Sequence, residues 1–254
     1  MPSRAGTVDL ILPAPPVRGD RMALFLDMDG VLAPLAPTPG EVGPVARRTA
    51  ALKALDLRLG GRVAIISGRT IAEIDRISDH ALTAASGVHG LERRRHDGET
   101  ERKPADDGVA YALEAFEAFA AHRPGMIVED KGVSAGLHYR GAPDQARAAE
   151  ALADRLQIET GLTLQPGHMV LELKTPGATK GTALTAFMRE APFKDALPVM
   201  VGDDVTDEDG FEAAKALGGY GVLVGPVRPT AARYGLDDVD AVLTWLEALA
   251  EAQT

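Results

Sequence analysis

The stretch Met22-Ala23-Leu24-Phe25-Leu26-Asp27-Met28-Asp29-Gly30 decides the fold. Five apolar residues run without alternation into an Asp/Gly turn, which reads as a short buried strand. Two acids two positions apart at a strand end, followed by glycine, can both face one pocket if the chain bends there. Asp and Gly also favour turns, so alone the segment reads equally well as a surface turn. Its surroundings decide between the two.

Working outward, residues 45–59 carry apolar positions at helical spacing and stop at Gly60-Gly61, a good helix end. A second buried strand is expected at Val63 to Ile66, before Ser67-Gly68-Arg69, and a third at Ala81 to Ala85, before Ser86-Gly87. A fourth is expected at Val199 to Val201, ending at Gly202-Asp203-Asp204, and a fifth at Gly221 to Val224. Helical patterns fall at 70–77, 182–190, 207–217 and 239–250. Strands alternating with helices predict a parallel sheet covered on both faces. The polar motifs fall at the C-terminal ends of its strands, where open α/β sheets bind ligands.

The middle of the chain breaks this rhythm. Residues 107–122 and 143–158 read as helices. Residues 126–130 and 136–140 read as a hairpin around Lys131-Gly132, and 162–165 and 169–174 as another around Pro166-Gly167. We expect residues 105–176 to form an inserted α+β domain, residues 21–104 and 177–254 to form the α/β core, and residues 1–20 to be a loose tail.

The chain has 254 residues, 45% of them apolar, which supports a sizeable core. Aromatics are only 4%, so Ala, Leu and Val must build that core. No cysteine is present, which excludes disulfides, thiolate zinc sites and cysteine nucleophiles and fits a cytoplasmic location. The formal charge of −10, with no long basic run, argues against nucleic acid as a partner. No window approaches the roughly 18 apolar residues a membrane span needs. An acidic surface repels anions at long range, so a phosphate substrate would need local cations.

Asp27 and Asp29, then Ser67, Lys180, and the pair Asp203-Asp204 occur in that order, and the strand-end members should converge on one crevice. Each has a plain structural reading: Ser67 as a helix cap, Lys180 as a solvated lysine, the aspartates as turn residues. Their order and placement argue against coincidence. Such a crevice suits phosphoryl transfer. Carboxylates are hard ligands for magnesium, a carboxylate can act as nucleophile, and a second can protonate the departing oxygen and then activate water.

Asp27-x-Asp29-Gly30, Ser67, Lys180 and Gly202-Asp203-Asp204 resemble the four ordered motifs of the haloacid dehalogenase superfamily. Within it, Glu129-Asp130-Lys131-Gly132-x-Ser134 and His138-Tyr139-Arg140 resemble the trehalose-6-phosphate phosphatase family. So do Ser67-Gly68-Arg69, His89-Gly90, Gly167-x-x-x-x-Glu172, Lys180-Gly181 and Gly202-Asp203-Asp204-x-Thr206-Asp207-Glu208-x-x-Phe211. The resemblance covers roughly residues 22–225, and the Glu-Asp-Lys-Gly and His-Tyr-Arg segments are its most specific parts.

The resemblance implies a Rossmann-like hydrolase core with a cap that closes over a sugar, and hydrolysis of trehalose 6-phosphate. It implies Asp27 as nucleophile, Asp29 as general acid and base, and Ser67 and Lys180 on the phosphoryl oxygens. Mg2+ would be held by the Asp27 carboxylate, the Asp29 carbonyl and Asp203, with Asp204 and Asp207 orienting that shell. The substrate contacts implied are Gly68, Arg69, His89, Glu129, Lys131, His138, Arg140, Glu172 and Lys174. His138 and Arg140 are two apart, as are Glu172 and Lys174, so on strands each pair would share a face. His89 reads equally as a core hydrogen-bonding residue. The sequence departs from the pattern at Val31, where the superfamily often has Thr, and at Lys174, where many relatives have Arg. His80, His96, His122 and His168 show no metal-ligand spacing. A phosphatase for sucrose phosphate or mannosylglycerate phosphate would share the core and differ in the cap. A non-catalytic sugar-phosphate-binding module would be expected to lack Asp27 or Asp29.

Overall fold

The structure is a computed structural model that describes residues 11–18, 21–36, 39–167 and 169–252. His168 lies outside the described residues. Strand β1 (Met22–Leu26) is buried along its whole length. Its side chains alternate between two cores. Met22, Leu24 and Leu26 join one cluster, and Ala23 and Phe25 the other. This is the period-two rule acting on a strand with both faces covered, which is why the stretch is apolar without alternation.

The large sheet contains β2 (Val63–Ile66), β3 (Ala85–Gly87), β4 (Glu92–Arg94) and β5 (Thr100–Arg102), with β10 (Leu197–Gly202), β11 (Tyr220–Val224) and β12 (Tyr234–Leu236) beyond β1. Its order is β12-β11-β10-β1-β2-β3-β4-β5. The strands from β12 to β3 are parallel, and β4 and β5 extend the edge antiparallel. Helices α1 (Ala46–Arg58), α2 (Ile71–Ser78) and α7 (Val239–Glu251) pack on one face through Leu52, Leu55, Ile74, Ile77 and Leu246. Helices α5 (Lys180–Phe187) and α6 (Glu208–Ala216) pack on the other through Leu184, Phe187, Phe211 and Ala214. The described residues thus form a mixed α/β fold with a parallel central sheet.

Between β5 and α5 the chain builds a second sheet from β6 (Ile127–Asp130), β7 (Ser134–His138), β8 (Thr163–Gly167) and β9 (Val170–Lys174). All pairs are antiparallel, in the order β6-β7-β9-β8. Helices α3 (Gly108–Ala120) and α4 (Ala146–Thr160) cover one face, with Ala112, Phe116, Ala153 and Leu156 packed on Ala135, Leu137, Leu171 and Leu173. The opposite residues of the same strands, Gly136, His138 and Glu172, face away from that core. Glu129, Gly136, Glu172 and Gln165 stand in register as one row across this free face.

Several expectations shift. The third strand is Ala85–Gly87 rather than 81–85. Asp79 and His80, both at positive φ, end α2, and Ala81 and Leu82 are buried as a connection rather than as a strand. The second strand of the small sheet is Ser134–His138, so Arg140 lies in the turn beyond it and not on a shared strand face with His138. Paired on both sides, the small residues of Ser134-Ala135-Gly136 serve as a central strand despite weak apolar patterning. The hairpin β4–β5 has no sequence signal of alternation, because its half-buried and exposed edge is charged. The N-terminal residues 11–18, expected to be loose, lie against the core. Gly235 N donates to Pro13 O at 3.0 Å, and Trp245 Nε1 donates to Pro16 O at 3.1 Å. Its prolines cannot donate to a ladder, but their carbonyls still accept.

Candidate active site

The C-terminal ends of β1, β2 and β10 are adjacent, so Asp27, Ser67 and Asp203 emerge side by side. The fourth contributor comes from a helix start. Thr179 caps α5 in a reciprocal box with Thr182, which sets Lys180 in the first turn. Lys180 Nζ donates to Asp27 Oδ2 and to Asp207 Oδ1, both at 2.7 Å. Asp207 Oδ2 accepts from the backbone N of Asp203 and of Asp204, each at 3.0 Å. Asp207 is wholly buried and ties the lysine to the Asp203-Asp204 turn. At Gly30, φ is +73°, and a Cβ would lie 2.0 Å from Asp203 Oδ2. Only glycine fits that bend, which brings the Asp27–Asp29 loop against Asp203.

Asp27, Asp203 and Asp207 each place a carboxylate oxygen within 4.8 Å of the others'. Burial pushes the Asp27 carboxyl up to about 8, against the pull of Lys180, and Asp207 and Asp203 push the same way. Burial, then Asp207, pushes Asp203 up to about 7. Burial would lower Lys180, but Asp207 and Asp27 hold it well above its ordinary value. One lysine among three close carboxylates leaves negative charge uncompensated. All donors are hard oxygens, so the set fits a small divalent cation such as Mg2+. Asp204 stands outside this group, and its Oδ1 accepts from Val205 N at 2.6 Å, capping the turn.

A cavity of about 360 Å³ separates this cluster from the free face of the small sheet. From below it is lined by Asp27, Asp29, Ser67, Gly68, Arg69, His89, Lys180, Asp203 and Asp204, and from above by Glu129, Lys131, His138, Arg140 and Glu172. Lys131 Nζ donates to Glu172 Oε2 at 2.7 Å and to Gly68 O at 3.0 Å, bridging the two sheets. Ser134 Oγ donates to Glu172 Oε1 at 2.7 Å. Burial alone would raise Glu172, but Lys131 and the Ser134 hydrogen bond bring it down to about 2. His138 Nε2 lies 2.8 Å from Glu129 Oε2, and Arg140 donates to the Ala36 carbonyl. Burial holds His89 down at about 3, so its ring is neutral, and Nδ1 has no hydrogen-bond partner among the described residues.

Lys174 is the expected contact that does not reach the cavity. It is buried, with Nζ donating to Ala178 O at 3.0 Å. It pairs with Ser134 at the far end of β9, where the connection to α5 covers it. Asp207 likewise stays behind the cavity wall. Gln165, Ser134 and Glu73 carry no assigned role in the sequence reading. Gln165 lines the cavity through its register with Glu172, which no local pattern reveals. Ser134 stands inside the quoted Glu-Asp-Lys-Gly segment and could have been read from it. Glu73 lines the cavity and closes a capping box with Thr70, whose Thr-x-x-Glu spacing is visible in the sequence.

The sequence profile of the trehalose-phosphatase family matches residues 25–240. The trehalose-6-phosphate phosphatase of Escherichia coli (strain K12) is 38% identical over 234 residues, covering 91% of this chain and 88% of that protein. The solved C-terminal domain of Candida albicans trehalose-6-phosphate phosphatase aligns at a TM-score of 0.82 with 22% identity, over 94% of this chain and 98% of that one. A haloacid dehalogenase-like hydrolase from Bacteroides thetaiotaomicron aligns at 0.66 with 16% identity, over 89% of this chain and 98% of its own. The last two establish likeness of fold.

Proposed function

The chain belongs to the trehalose-phosphatase family, and from that membership we propose that it hydrolyses trehalose 6-phosphate to trehalose and inorganic phosphate through an aspartyl-phosphate, with magnesium. It is a phosphoric monoester hydrolase. The observation that carries the reading is the one cavity shared by Asp27, Lys180 and Asp203 on one side and the Glu129, Lys131 and Glu172 face on the other.

Asp27 attacks phosphorus with a carboxylate oxygen while the bond from phosphorus to the sugar oxygen breaks. Asp29 gives its proton to that departing alkoxide, a poor leaving group without it. Ser67 and Lys180 hold phosphoryl oxygens in line. Asp29, now a carboxylate, takes a proton from the water that attacks phosphorus, and Asp27 is released with inorganic phosphate. Asp27 and Asp203, with the Asp29 carbonyl, would hold Mg2+, which would supply charge stabilisation at the phosphoryl oxygens. Asp207 keeps Lys180 and the Asp203-Asp204 turn in place, and Asp204 caps that turn. Glu129, Lys131, His138, Arg140 and Glu172 hydrogen-bond sugar hydroxyls, and Gly68 and His89 border the sugar-phosphate junction.

A phosphate-release screen with magnesium tests this. Trehalose 6-phosphate should give the highest kcat/KM in a panel that includes sucrose 6-phosphate, a mannosylglycerate phosphate and glucose 6-phosphate. Preference for another member would reassign the substrate, and no release from any would exclude the phosphatase reading.

A further inference from the structure

We propose that Arg69 is a positioning residue for Asp29, holding that carboxylate for proton transfer at the leaving oxygen instead of serving as a substrate ligand. The inference rests on the phosphatase reading above. Arg69 grips Asp29 with both prongs of its fork: Nε lies 2.7 Å from Oδ2 and Nη2 lies 2.7 Å from Oδ1. The arginine side chain is only 10% exposed and the aspartate 29%, so the pair sits at the cavity wall rather than in open solvent.

The fork is itself anchored. Arg69 Nη1 donates to Glu73 Oε1 at 3.3 Å. Glu73 Oε2 accepts from Thr70 N at 3.0 Å and from Thr70 Oγ1 at 2.9 Å. The N-terminal turn of α2 thereby fixes Glu73, Glu73 steadies Arg69, and Arg69 sets the plane of the Asp29 carboxylate. Asp29 stands past the end of the β1 ladder, where an isolated bridge to Ala33 holds its backbone before the turn at Gly30, and the fork of Arg69 holds its side chain.

The chemistry explains the choice of arginine. Each carboxylate oxygen has two lone-pair sites, so a bidentate fork leaves one per oxygen for the reacting proton. In the first step the proton passes from Asp29 to the sugar oxygen as the phosphorus–oxygen bond breaks, and Asp29 is left as an anion beside a fixed cation. In the second it recovers a proton from the attacking water. Arg69 holds the same anion between the two steps without exchanging a proton, because a guanidinium does not deprotonate.

The test uses leaving groups. For p-nitrophenyl phosphate the phenolate departs without a proton, and kcat/KM reports only steps through that departure, so it is blind to Asp29 as acid. Arg69→Gln should lower kcat/KM on trehalose 6-phosphate by about 100-fold or more, the lower range for loss of general acid catalysis. On p-nitrophenyl phosphate it should change kcat/KM less than about threefold, with the inhibition constant of inorganic phosphate equally unmoved. Arg69→Lys, which keeps the charge but cannot fork, should show the same selective loss to a smaller degree. If Arg69→Gln fails to fold by circular dichroism, Arg69→Lys carries the comparison. Parallel losses on both substrates, or a matching rise in the phosphate inhibition constant, would overturn the proposal in favour of phosphate binding. A wild-type enzyme active on p-nitrophenyl phosphate but not on trehalose 6-phosphate would instead defeat the substrate reading. The Arg69 test would then run on whichever sugar phosphate it hydrolyses.

Discussion

The Lys131 ammonium lies 2.7 Å from Glu172 Oε2, and the two side chains are 9% and 5% exposed. A pair this buried is costly to break and cheap to replace whole. Lys131→Met leaves Glu172 charged and under-compensated, and should lose about 3–5 kcal/mol in urea denaturation. The double variant Lys131→Met with Glu172→Leu should recover most of that stability while staying inactive on the sugar phosphate. A double variant no more stable than the single one would show that the pair is not what the fold relies on.

The proposed nucleophile, Asp27, makes the sharpest prediction. Asp27→Asn is nearly isosteric, and its single amide oxygen can keep one of the two bonds that Asp27 accepts from Met28 N and Lys180 Nζ, so the fold should survive at a modest cost in stability. Turnover should drop by roughly 10⁴-fold or more, the scale of removing a covalent nucleophile. Near-normal phosphate release from the purified variant would exclude Asp27 from that role.

Removal of metal should separate binding from folding. Chelator should stop turnover, and added magnesium should restore it. Asp203 is pushed up to about 7 by burial first and by Asp207 next. A carboxyl whose folded pKa is raised costs stability above that value, so Asp203→Ala without metal should melt no lower than wild type at pH 8. The rise in Tm on adding magnesium should disappear, with the metal Kd weakened at least about 10–100-fold. A variant that melted lower yet kept its full magnesium response would contradict the assignment.

His89 predicts an acid sensitivity of defined sign. Burial holds its folded pKa at about 3, below the ordinary 6.5. The unfolded chain binds this proton and the folded one does not, so stability falls as pH drops from 6.5 towards 3. The slope is about 1.4 kcal/mol per pH unit from this group, or about 2 kcal/mol by pH 5. Urea denaturation of wild type and His89→Gln between pH 7.5 and 5 should converge by about that amount. Parallel curves would show that His89 protonates in the folded protein.

Much of this molecule is readable along the chain. Met22–Leu26 is apolar at every position because each of its two faces meets its own core, and that requirement acts on single residues. The helical period at α1 and α7 and the Asp/Gly and Ser/Gly breaks after strands are equally local. Edges are read less well. Glu92–Arg94 and Thr100–Arg102 pair at the margin of the sheet, where no burial imposes alternation. Ala81, Leu82 and Ala84 are apolar because they are buried, and burial alone does not distinguish a strand from a covered connection.

Sequence alone marked Asp27, Ser67, Lys180 and Asp203 as candidates for the chemistry, since they are strand-end or helix-start positions recognisable by type and order. Tertiary structure decided what those residues touch. Lys174 and Glu172 are two apart on β9 and identical by local rule, yet one faces the cavity and the other the Ala178 carbonyl, because a connection from outside the sheet covers only that end. Gln165 enters the site, and Arg69 settles on Asp29 forty residues away, through register and packing. Periodicity states which side of an element is buried. The partner it is buried against is a long-range choice made by the whole chain at once.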